Sequence, residues 1–452
     1  MALSSERKGT IAVSLTNFLD SGCIVAASTA LATTAWPLYF GFDSVWIAIL
    51  GAISANAFGA AIGALVGGFL TDKFGRKFIY TYNLLIYALG VFILMVSINL
   101  PMLVLGVFIS GLSVGAGVPA SWSYISEMSG DNRRAQNIGI SQFAWSCGPA
   151  IIFMLSLGLS FIFPTTDAAG AMVSYGMFDG LLAMRILFAV LFIVALVAWN
   201  LQRQLQESTD WTEKKEAATE GKGESFGKMM GRALKNSVNV KSMIFLVAVY
   251  LTWNLVAGTQ GMFMPYLYSA AGNLDNTTIS LLQTAMWVLT AIFSLAAFSK
   301  FGDVVPHRLL FGISAGMALL SWVVMVFFGM QLQAGNADAW GWLLWVFVAL
   351  WGISAGFSAQ CFYALWSTEL FPTQYRGGVQ GIMFFLVRGC LGIWSFVSVA
   401  VINVGTPDGF VASGGIMCIF LLISLVVGVI GCPKTQGRSL DEITKERYGD
   451  SI

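Results

Sequence analysis

The chain has very little charge. Asp, Glu, Lys and Arg together make up 10% of its 452 residues, whereas 57% are hydrophobic and the mean hydropathy is +0.77. Soluble domains carry about 25% charged residues. Too few polar side chains remain to cover a water-exposed surface, which excludes an ordinary soluble protein. The formal net charge of +1 shows no acidic or basic excess, so we expect no nucleic-acid partner.

Residues that carry out catalysis or bind metals are also scarce. The chain has one histidine, His307, and six cysteines whose spacing matches no metal site. The cysteines lie within or at the ends of apolar runs, where they are expected to pack as small hydrophobic side chains. No pairing of a nucleophile with a base stands out. We therefore expect neither an enzyme nor a bound metal or cofactor.

What the chain has instead is long apolar runs. A membrane-spanning helix needs about 20 mostly apolar residues, and twelve stretches meet this requirement. They cover roughly residues 11–35, 45–70, 78–97, 101–123, 138–162, 179–202, 242–268, 277–299, 309–330, 341–366, 378–403 and 409–431. The first lacks the cleavage site of a signal peptide, so we expect it to remain as a helix.

One long polar segment divides these spans into two sets of six. It follows the sixth span and is rich in Glu, Lys and Gly. We predict an all-α membrane protein with twelve transmembrane helices in two pseudo-symmetric six-helix bundles. The expected divisions are an N-terminal bundle at 1–202, a cytoplasmic linker at 203–241, a C-terminal bundle at 242–432 and a cytoplasmic tail at 433–452.

Positive charge is distributed on one side of this arrangement. Two of the 24 Lys and Arg residues, Arg185 and Arg388, fall within predicted spans. All the others lie in the N-terminal tail, in loops that follow even-numbered spans, or in the C-terminal tail. Basic loops stay on the cytoplasmic side of a membrane. We therefore expect a multi-pass protein of the cell (inner) membrane with both termini in the cytoplasm.

Two charged motifs occur once in each half. The turn after span 2 contains Lys73-Phe-Gly-Arg76, and the turn after span 8 contains Lys300-Phe-Gly-Asp303. A glutamate and an arginine seven residues apart follow both span 4 and span 10. Parallel repeats of six spans are typical of transporters that bind their substrate between the halves, near the midplane of the bilayer.

We expect the charged residues at these helix ends to act as a gate. Opposite charges could pair across helices when this end of the protein is closed and separate when it opens, at about 0–1 kcal/mol for each exposed pair. The alternative is that they only mark topology and cap helices. The candidate gating residues are Asp72, Arg76, Glu127, Arg134, Lys300, Glu369 and Arg376. Because Asp303 stands where the first copy has Arg76, the first copy is expected to matter more.

These motifs resemble those of the major facilitator superfamily and, within it, the sugar porter family. The sequence from Gly68 to Lys77 is similar to the superfamily's loop motif between helices 2 and 3. Four further segments are similar to sugar porter signatures in the same order. They are Tyr124-x-x-Glu127 with Arg134, Glu207-Ser208-x-x-Trp211, Glu369-Leu-Phe-Pro372 with Arg376, and Pro433–Glu442. The general pattern resembles a subgroup that includes bacterial sugar and inositol transporters.

Asp20 is the carboxylate placed well inside a predicted span. Charged groups in the membrane interior are costly, which makes them candidates for function. The resemblance implies a role in proton coupling, because proton-driven sugar porters carry an aspartate in a similar context, here Phe18-Leu-Asp20-Ser-Gly22. The alternative is a structural ion pair.

Arg388 is the cation near the middle of span 11. The family's usual helix 4 arginine, which pairs with the helix 1 aspartate, is absent from 104–117. Arg388 could replace it beside Asp20, or it could contact the substrate.

The substrate site is expected to use amides and aromatic rings. Amides and hydroxyls bind sugar hydroxyls, and aromatic rings cover apolar ring faces. The candidates are Asn17, Asn56, Gln142, Trp145, Asn254, Thr259, Gln260, Gln283, Trp287, Gln360, Tyr363, Trp366, Arg388 and Trp394. Two departures weaken the sugar pattern: the family's paired glutamines of helix 7 read Asn254-Leu255, and the Gly-Pro pair of helix 10 reads Gln360-Cys361.

The sequence thus favours a secondary transporter that imports a monosaccharide or inositol by alternating access, with proton symport, as a monomer in the lipid bilayer. One alternative is a transporter of an organic anion, such as a sugar acid or carboxylate, recognised by Arg388. A less favoured alternative is a non-transporting nutrient sensor, since such proteins usually carry long cytoplasmic extensions, whereas this sequence runs to Ile452.

Overall fold

The computed structural model describes residues 5–32, 35–41, 43–130, 133–167, 170–205, 207, 212, 226–270, 272–403 and 406–449. In this part of the chain, twelve helices are long and apolar enough to cross a membrane. They are α1 (Ser5–Ala32), α2 (Ser44–Ile53 and Phe58–Phe74), α3 (Arg76–Val96), α4 (Leu100–Met128), α5 (Arg134–Ile162), α6 (Leu182–Gln202), α7 (Ser237–Ala270), α8 (Asn276–Phe293), α9 (His307–Gln333), α10 (Trp342–Ala355 and Ala359–Glu369), α11 (Arg376–Phe396) and α12 (Pro407–Gly431). The predicted all-α fold with twelve spans is confirmed.

Several helices extend beyond the apolar runs that predicted them. The extra turns lie where α2, α4 and α10 end and where α5 begins, and they carry charged side chains such as Glu127 and Arg134. Charged residues can continue a helix there because their charges are neutralised by partners on neighbouring helices. We call this end of the molecule, where α2, α4, α8 and α10 end and α3, α5, α9 and α11 begin, the basic end.

Two of the spanning helices are interrupted near their middle. The break in α2 covers Ser54–Ala57, and the break in α10 covers Gly356–Ser358. In α2 the Ser54 hydroxyl donates to the Gly51 carbonyl and accepts from the Asn56 amide, so local hydrogen bonds replace the helical ones. Non-helical backbone at membrane depth is tolerated where it lines a cavity. The breaks therefore locate the centre of the molecule.

The two halves meet along matching helix pairs. Helix α2 packs on α11, and α5 packs on α8 and its π-helical continuation Ser294–Ser299. Small residues allow the close approach of α2 and α11: a Cβ on Gly68 would lie 2.4 Å from the Gly377 carbonyl oxygen and 3.0 Å from the Gly381 Cα. Small-residue contacts of this kind are typical of helix packing in membranes.

The linker and the tail each contribute a short helix at the basic end. These helices are Phe226–Lys235 and Leu440–Tyr448, and the second begins with a capping box between Ser439 and Glu442. Much of the predicted linker, including Ser208 and Trp211 of its motif, lies outside the described residues.

The substitution Gly68→Val should force α2 and α11 apart, because the atoms it meets are backbone atoms that cannot rotate away. We expect a loss of about 1–3 kcal/mol in stability, measured as a lower melting temperature of the purified protein. Gly316→Val in α9 is the matched control, since a Cβ there has no atom within 4 Å. Equal melting temperatures for the two variants would contradict this account.

Candidate functional site

A central cavity lies between the two halves. It holds about 650 Å³ of atom-free space and is lined by the middle parts of α1, α2, α5, α7, α8, α10 and α11. Eight of the residues predicted to bind substrate line it: Asn56, Gln142, Trp145, Asn254, Gln260, Trp287, Gln360 and Arg388.

The N-terminal half presents polar groups that already have partners. The Ser21 hydroxyl donates to the Trp145 carbonyl, and the Ser146 hydroxyl donates to the Gln142 carbonyl. The Gln142 side-chain oxygen accepts from the Gln360 amide of α10 at 2.8 Å. This amide pair joins the two halves across the cavity.

The C-terminal half presents polar groups without partners. Among the described residues, the Asn254 side-chain oxygen, the Trp287 indole nitrogen, the Ser358 hydroxyl and the Arg388 Nε line the cavity, are buried and have no hydrogen bond. Buried polar groups normally do have partners, and each orphan costs roughly 1–3 kcal/mol. Their convergence on one cavity from four helices is what a ligand site needs.

Aromatic side chains form the cavity walls. Trp145 of α5 and Trp287 of α8 meet edge to face, with ring centroids 5.3 Å apart. Trp253 and Trp351, which the sequence analysis did not select, stack with centroids 6.3 Å apart. These rings can cover the apolar face of a ring-shaped ligand, while the amides reach its hydroxyls.

The remaining predicted substrate residues lie outside the cavity. Asn17 bonds Ser141, Trp394 donates to the Thr259 hydroxyl, and Gln283 accepts from Gln260 behind the wall. The other two belong to the aromatic packing of the C-terminal half. Tyr363 stacks on Tyr250, and Trp366 donates to His307. The structure therefore does not bring these six to the cavity, because each faces a neighbouring helix.

The hydroxyl residues Ser21, Ser146, Thr290, Ser294 and Ser358 line the cavity, and sequence reasoning missed them. A lone hydroxyl in a membrane helix usually bonds its own backbone, so it gives little signal. Hydroxyl residues one or two helical turns from a predicted substrate residue lie on the same helix face, and that spacing could have identified some of them. Ser146 is one turn after Gln142, and Ser294 is two turns after Trp287.

Asp20 is fully buried beside the cavity and does not line it. Both of its carboxyl oxygens lack a hydrogen-bond partner among the described residues. Its exposed fraction is 1%. Arg388 is the cation close enough to influence its charge. An ionised carboxylate without partners is very costly in such a place, so this conformation suits the neutral carboxylic acid.

Arg388 links the two halves at the cavity wall. One guanidinium nitrogen donates to both the backbone oxygen (3.0 Å) and the side-chain oxygen (2.9 Å) of Asn56, in the break of α2. The Asn56 amide nitrogen in turn donates to the Gly258 carbonyl of α7. One residue of the N-terminal half thus holds two helices of the C-terminal half.

Buried ion pairs close the basic end. The Glu127 carboxylate of α4 contacts Arg76 of α3 at 2.6 Å and Arg376 of α11 at 3.0 Å, and these side chains are at most 2% exposed. Arg134 of α5 contacts Glu369 of α10 at 2.9 Å. Removing one partner of a buried pair costs roughly 3–5 kcal/mol. The expectation of weak, surface-type pairs was therefore wrong, because the halves bury these charges completely.

Two aspartates cap helices of the opposite half. Asp72 at the end of α2 accepts from the Gly377 and Gly378 amides at the start of α11 (3.0 and 2.6 Å). Asp303, after α8, accepts from the Ala135 and Gln136 amides at the start of α5 (3.1 and 2.9 Å). Burial raises the pKa of the Asp303 carboxyl, and the two amide hydrogen bonds oppose that rise.

These paired caps argue against the expected asymmetry of the gate, which stays a prediction about transport. The Asp303 carboxylate does for α5 what Asp72 does for α11. Lys300 is exposed and lies over the Phe301 ring, 5.3 Å from its centroid, outside the ion-pair network.

The linker and tail brace the same end. Glu207, the first residue of the linker motif, accepts from the Arg76 and Lys77 amides and so caps α3. Arg134 donates to the Arg438 carbonyl of the tail, and the Tyr448 hydroxyl donates to Asn239 of α7. Glu207 of the linker motif and Arg438 of the tail motif therefore contact the gate.

Asp72→Ala and Asp303→Ala should reduce transport to a similar degree, because each removes a charged cap that joins the halves. We expect each to lower the uptake rate by roughly tenfold, since a charge-assisted cap contributes about 1–2 kcal/mol. Uptake normalised to the amount of protein in the membrane measures this. Asp338→Ala, an exposed aspartate at the opposite end, is the control. Normal transport by Asp303→Ala together with reduced transport by Asp72→Ala would support the asymmetric gate instead.

Comparison with known proteins identifies the family. The model of the family described as "Sugar (and other) transporter" matches residues 12–446. The minor myo-inositol transporter IolF of Bacillus subtilis is 38% identical over 99% of this chain and 95% of its own. The arabinose-proton symporter of the same organism is 23% identical over 87% and 85%.

Solved structures share the fold. The proton:xylose symporter XylE, bound to 6-bromo-6-deoxy-D-glucose, superposes with a TM-score of 0.74 at 17% identity and covers 98% of this chain and 99% of its own. The expected resemblance to the major facilitator superfamily is confirmed, and so is the expectation of a transporter and not an enzyme. The chain belongs to the sugar (and other) transporter family.

Proposed function

We propose that the protein imports a sugar or polyol, with inositol as the leading candidate, by alternating access coupled to inward proton movement. The observation that carries this proposal is the central cavity. Polar atoms from four helices of one half converge on it without partners, while buried ion pairs seal the basic end.

The lining supports a hydroxylated, ring-shaped substrate. The amides of Gln142, Asn254, Gln260 and Gln360 can each donate and accept hydrogen bonds, as vicinal hydroxyls require. The four tryptophans supply apolar walls. The similarity to a myo-inositol transporter over nearly the whole chain favours inositol within this class.

Orientation follows from the basic loops. We place the basic end, with both termini, in the cytoplasm, because loops rich in Lys and Arg remain there. Opening the basic end then releases substrate inward. That step requires the Glu127–Arg376 and Arg134–Glu369 ion pairs and the two aspartate caps to separate.

Asp20 is the proposed proton site. In this closed state its carboxyl group has no partner, which suits its protonated form. Opening of the basic end would admit water, stabilise the carboxylate and release the proton inward. The names of two similar proteins, a proton:xylose symporter and an arabinose-proton symporter, agree with this coupling.

The test is uptake into proteoliposomes of myo-inositol, glucose, xylose and arabinose, with and without an inward proton gradient. We expect uphill accumulation of at least one of them only with the gradient. Asp20→Asn should abolish that accumulation and retain exchange of labelled for unlabelled substrate, because a permanently neutral side chain cannot release a proton.

Asp338→Asn serves as the control, since that aspartate is exposed and is not among the residues that line the cavity. Gradient-driven accumulation that survives Asp20→Asn would remove Asp20 from the coupling mechanism. Uptake that only equilibrates the substrate, with or without the proton gradient, would reject symport for the unaltered protein and leave facilitated transport.

A further inference from the structure

The cavity contains a positive charge without a contacting negative one. Arg388 is the charged residue among the described residues that line it, and no lining residue is acidic. Its guanidinium donates to the two neutral oxygens of Asn56, and the Phe384 ring at 4.8 Å and the Tyr250 hydroxyl are also close neighbours. Asp20 forms no ion pair within 4 Å and no hydrogen bond. A buried guanidinium in the membrane interior is expensive unless an anion joins it.

Most of the polar atoms in the cavity lining that lack partners among the described residues can donate a hydrogen bond. The Trp287 indole nitrogen can only donate, and the Ser358 hydroxyl and the Arg388 Nε each have an N–H or O–H to give. The Tyr250 and Tyr363 rings, which stack 4.1 Å apart, lie near Arg388 outside the cavity lining and are not counted among these donors. A donor-rich site next to a guanidinium complements a carboxylate, whose two oxygens only accept.

We propose that the cavity takes a polyhydroxylated carboxylate, a sugar or polyol that bears one carboxylate group, in addition to neutral polyols. Arg388 is then the residue that determines specificity for the acid, through its unpaired guanidinium edge. The amides that hold hydroxyls are shared by both substrate classes. This inference rests on the proposed transport function and extends its substrate range.

The charge balance is consistent with that function. A substrate with one negative charge and the proton on Asp20 enter together as a neutral pair, so each cycle moves no net charge. A neutral polyol with one proton would move one positive charge. The two classes therefore differ in their response to membrane potential as well as in their need for Arg388.

The experiment compares D-glucuronate with glucose and myo-inositol as substrates for the protein in proteoliposomes. We expect transport of glucuronate at a rate comparable to that of the best neutral substrate. Arg388→Gln should lower glucuronate uptake at least tenfold, because a charge-assisted hydrogen bond contributes about 1.5–3 kcal/mol. Neutral uptake should fall much less.

Two further variants separate charge from shape. Arg388→Lys keeps the charge without the planar fork and should give intermediate glucuronate uptake. Asn56→Asp places a carboxylate where an oxygen now lies 2.9 Å from Arg388, so it should neutralise the guanidinium and abolish glucuronate uptake with the arginine intact. Gel filtration and melting temperature check that each variant is folded.

Arg185→Gln is the matched control, since Arg185 is also buried in a spanning helix but donates to the Met95 and Ser97 carbonyls away from the cavity. A ratio of glucuronate uptake to neutral uptake that falls at least tenfold in both Arg388→Gln and Asn56→Asp supports the inference. Neutral transport without any transport or competition by glucuronate overturns the inference and leaves the proposed function standing. Transport of neither class overturns both.

Discussion

The closed state depends on acidic side chains of one half bound to helix starts of the other. Asp72 holds two amides of α11, Asp303 holds two amides of α5, and Glu127 bridges arginines of α3 and α11. Helix N-termini attract negative charge because their first amides are unpaired and aligned. Each aspartate therefore satisfies donors that would otherwise be buried without partners. Separating the halves exposes these donors to water, which compensates part of the loss and keeps the closed and open states close in free energy.

Contacts between the halves continue from the caps and ion pairs of the basic end to the cavity. The Ser123 hydroxyl of α4 donates to Gln380 of α11, and the Gln142–Gln360 amide pair and the Trp145–Trp287 contact follow at the cavity itself. The last two pairs have one member on each half and line the substrate space. A bound substrate that replaces the Gln142–Gln360 bond would therefore act directly on the contact between the halves. The side chains that bind substrate would then be the same ones that join the two halves.

The sequence predicted the twelve spans and the symmetry, because apolar length and loop charge are local properties. It also selected eight residues that line the cavity, since buried amides and an intramembrane arginine are costly without a role. It could not assign orientation within a helix, so Tyr363 and Trp366 were chosen although they pack against Tyr250 and His307. Nor did the sequence indicate the role of Asp303. Aligning the two turns places Asp303 opposite Arg76, whereas in the structure Asp303 caps α5 as Asp72, one turn earlier in its own motif, caps α11. Whether an amide faces a cavity or a neighbouring helix depends on tertiary packing.

The central claim is that the two aspartate caps hold the basic end closed. Spin labels at Lys77 and Lys300, exposed at that end in opposite halves, would measure it in a background without the six native cysteines. A second pair at Ile98 and Asp338 reports on the opposite end. We predict that combining Asp72→Ala with Asp303→Ala lengthens the first distance and shortens the second. Unchanged distances, or two distances that lengthen together, would contradict the account.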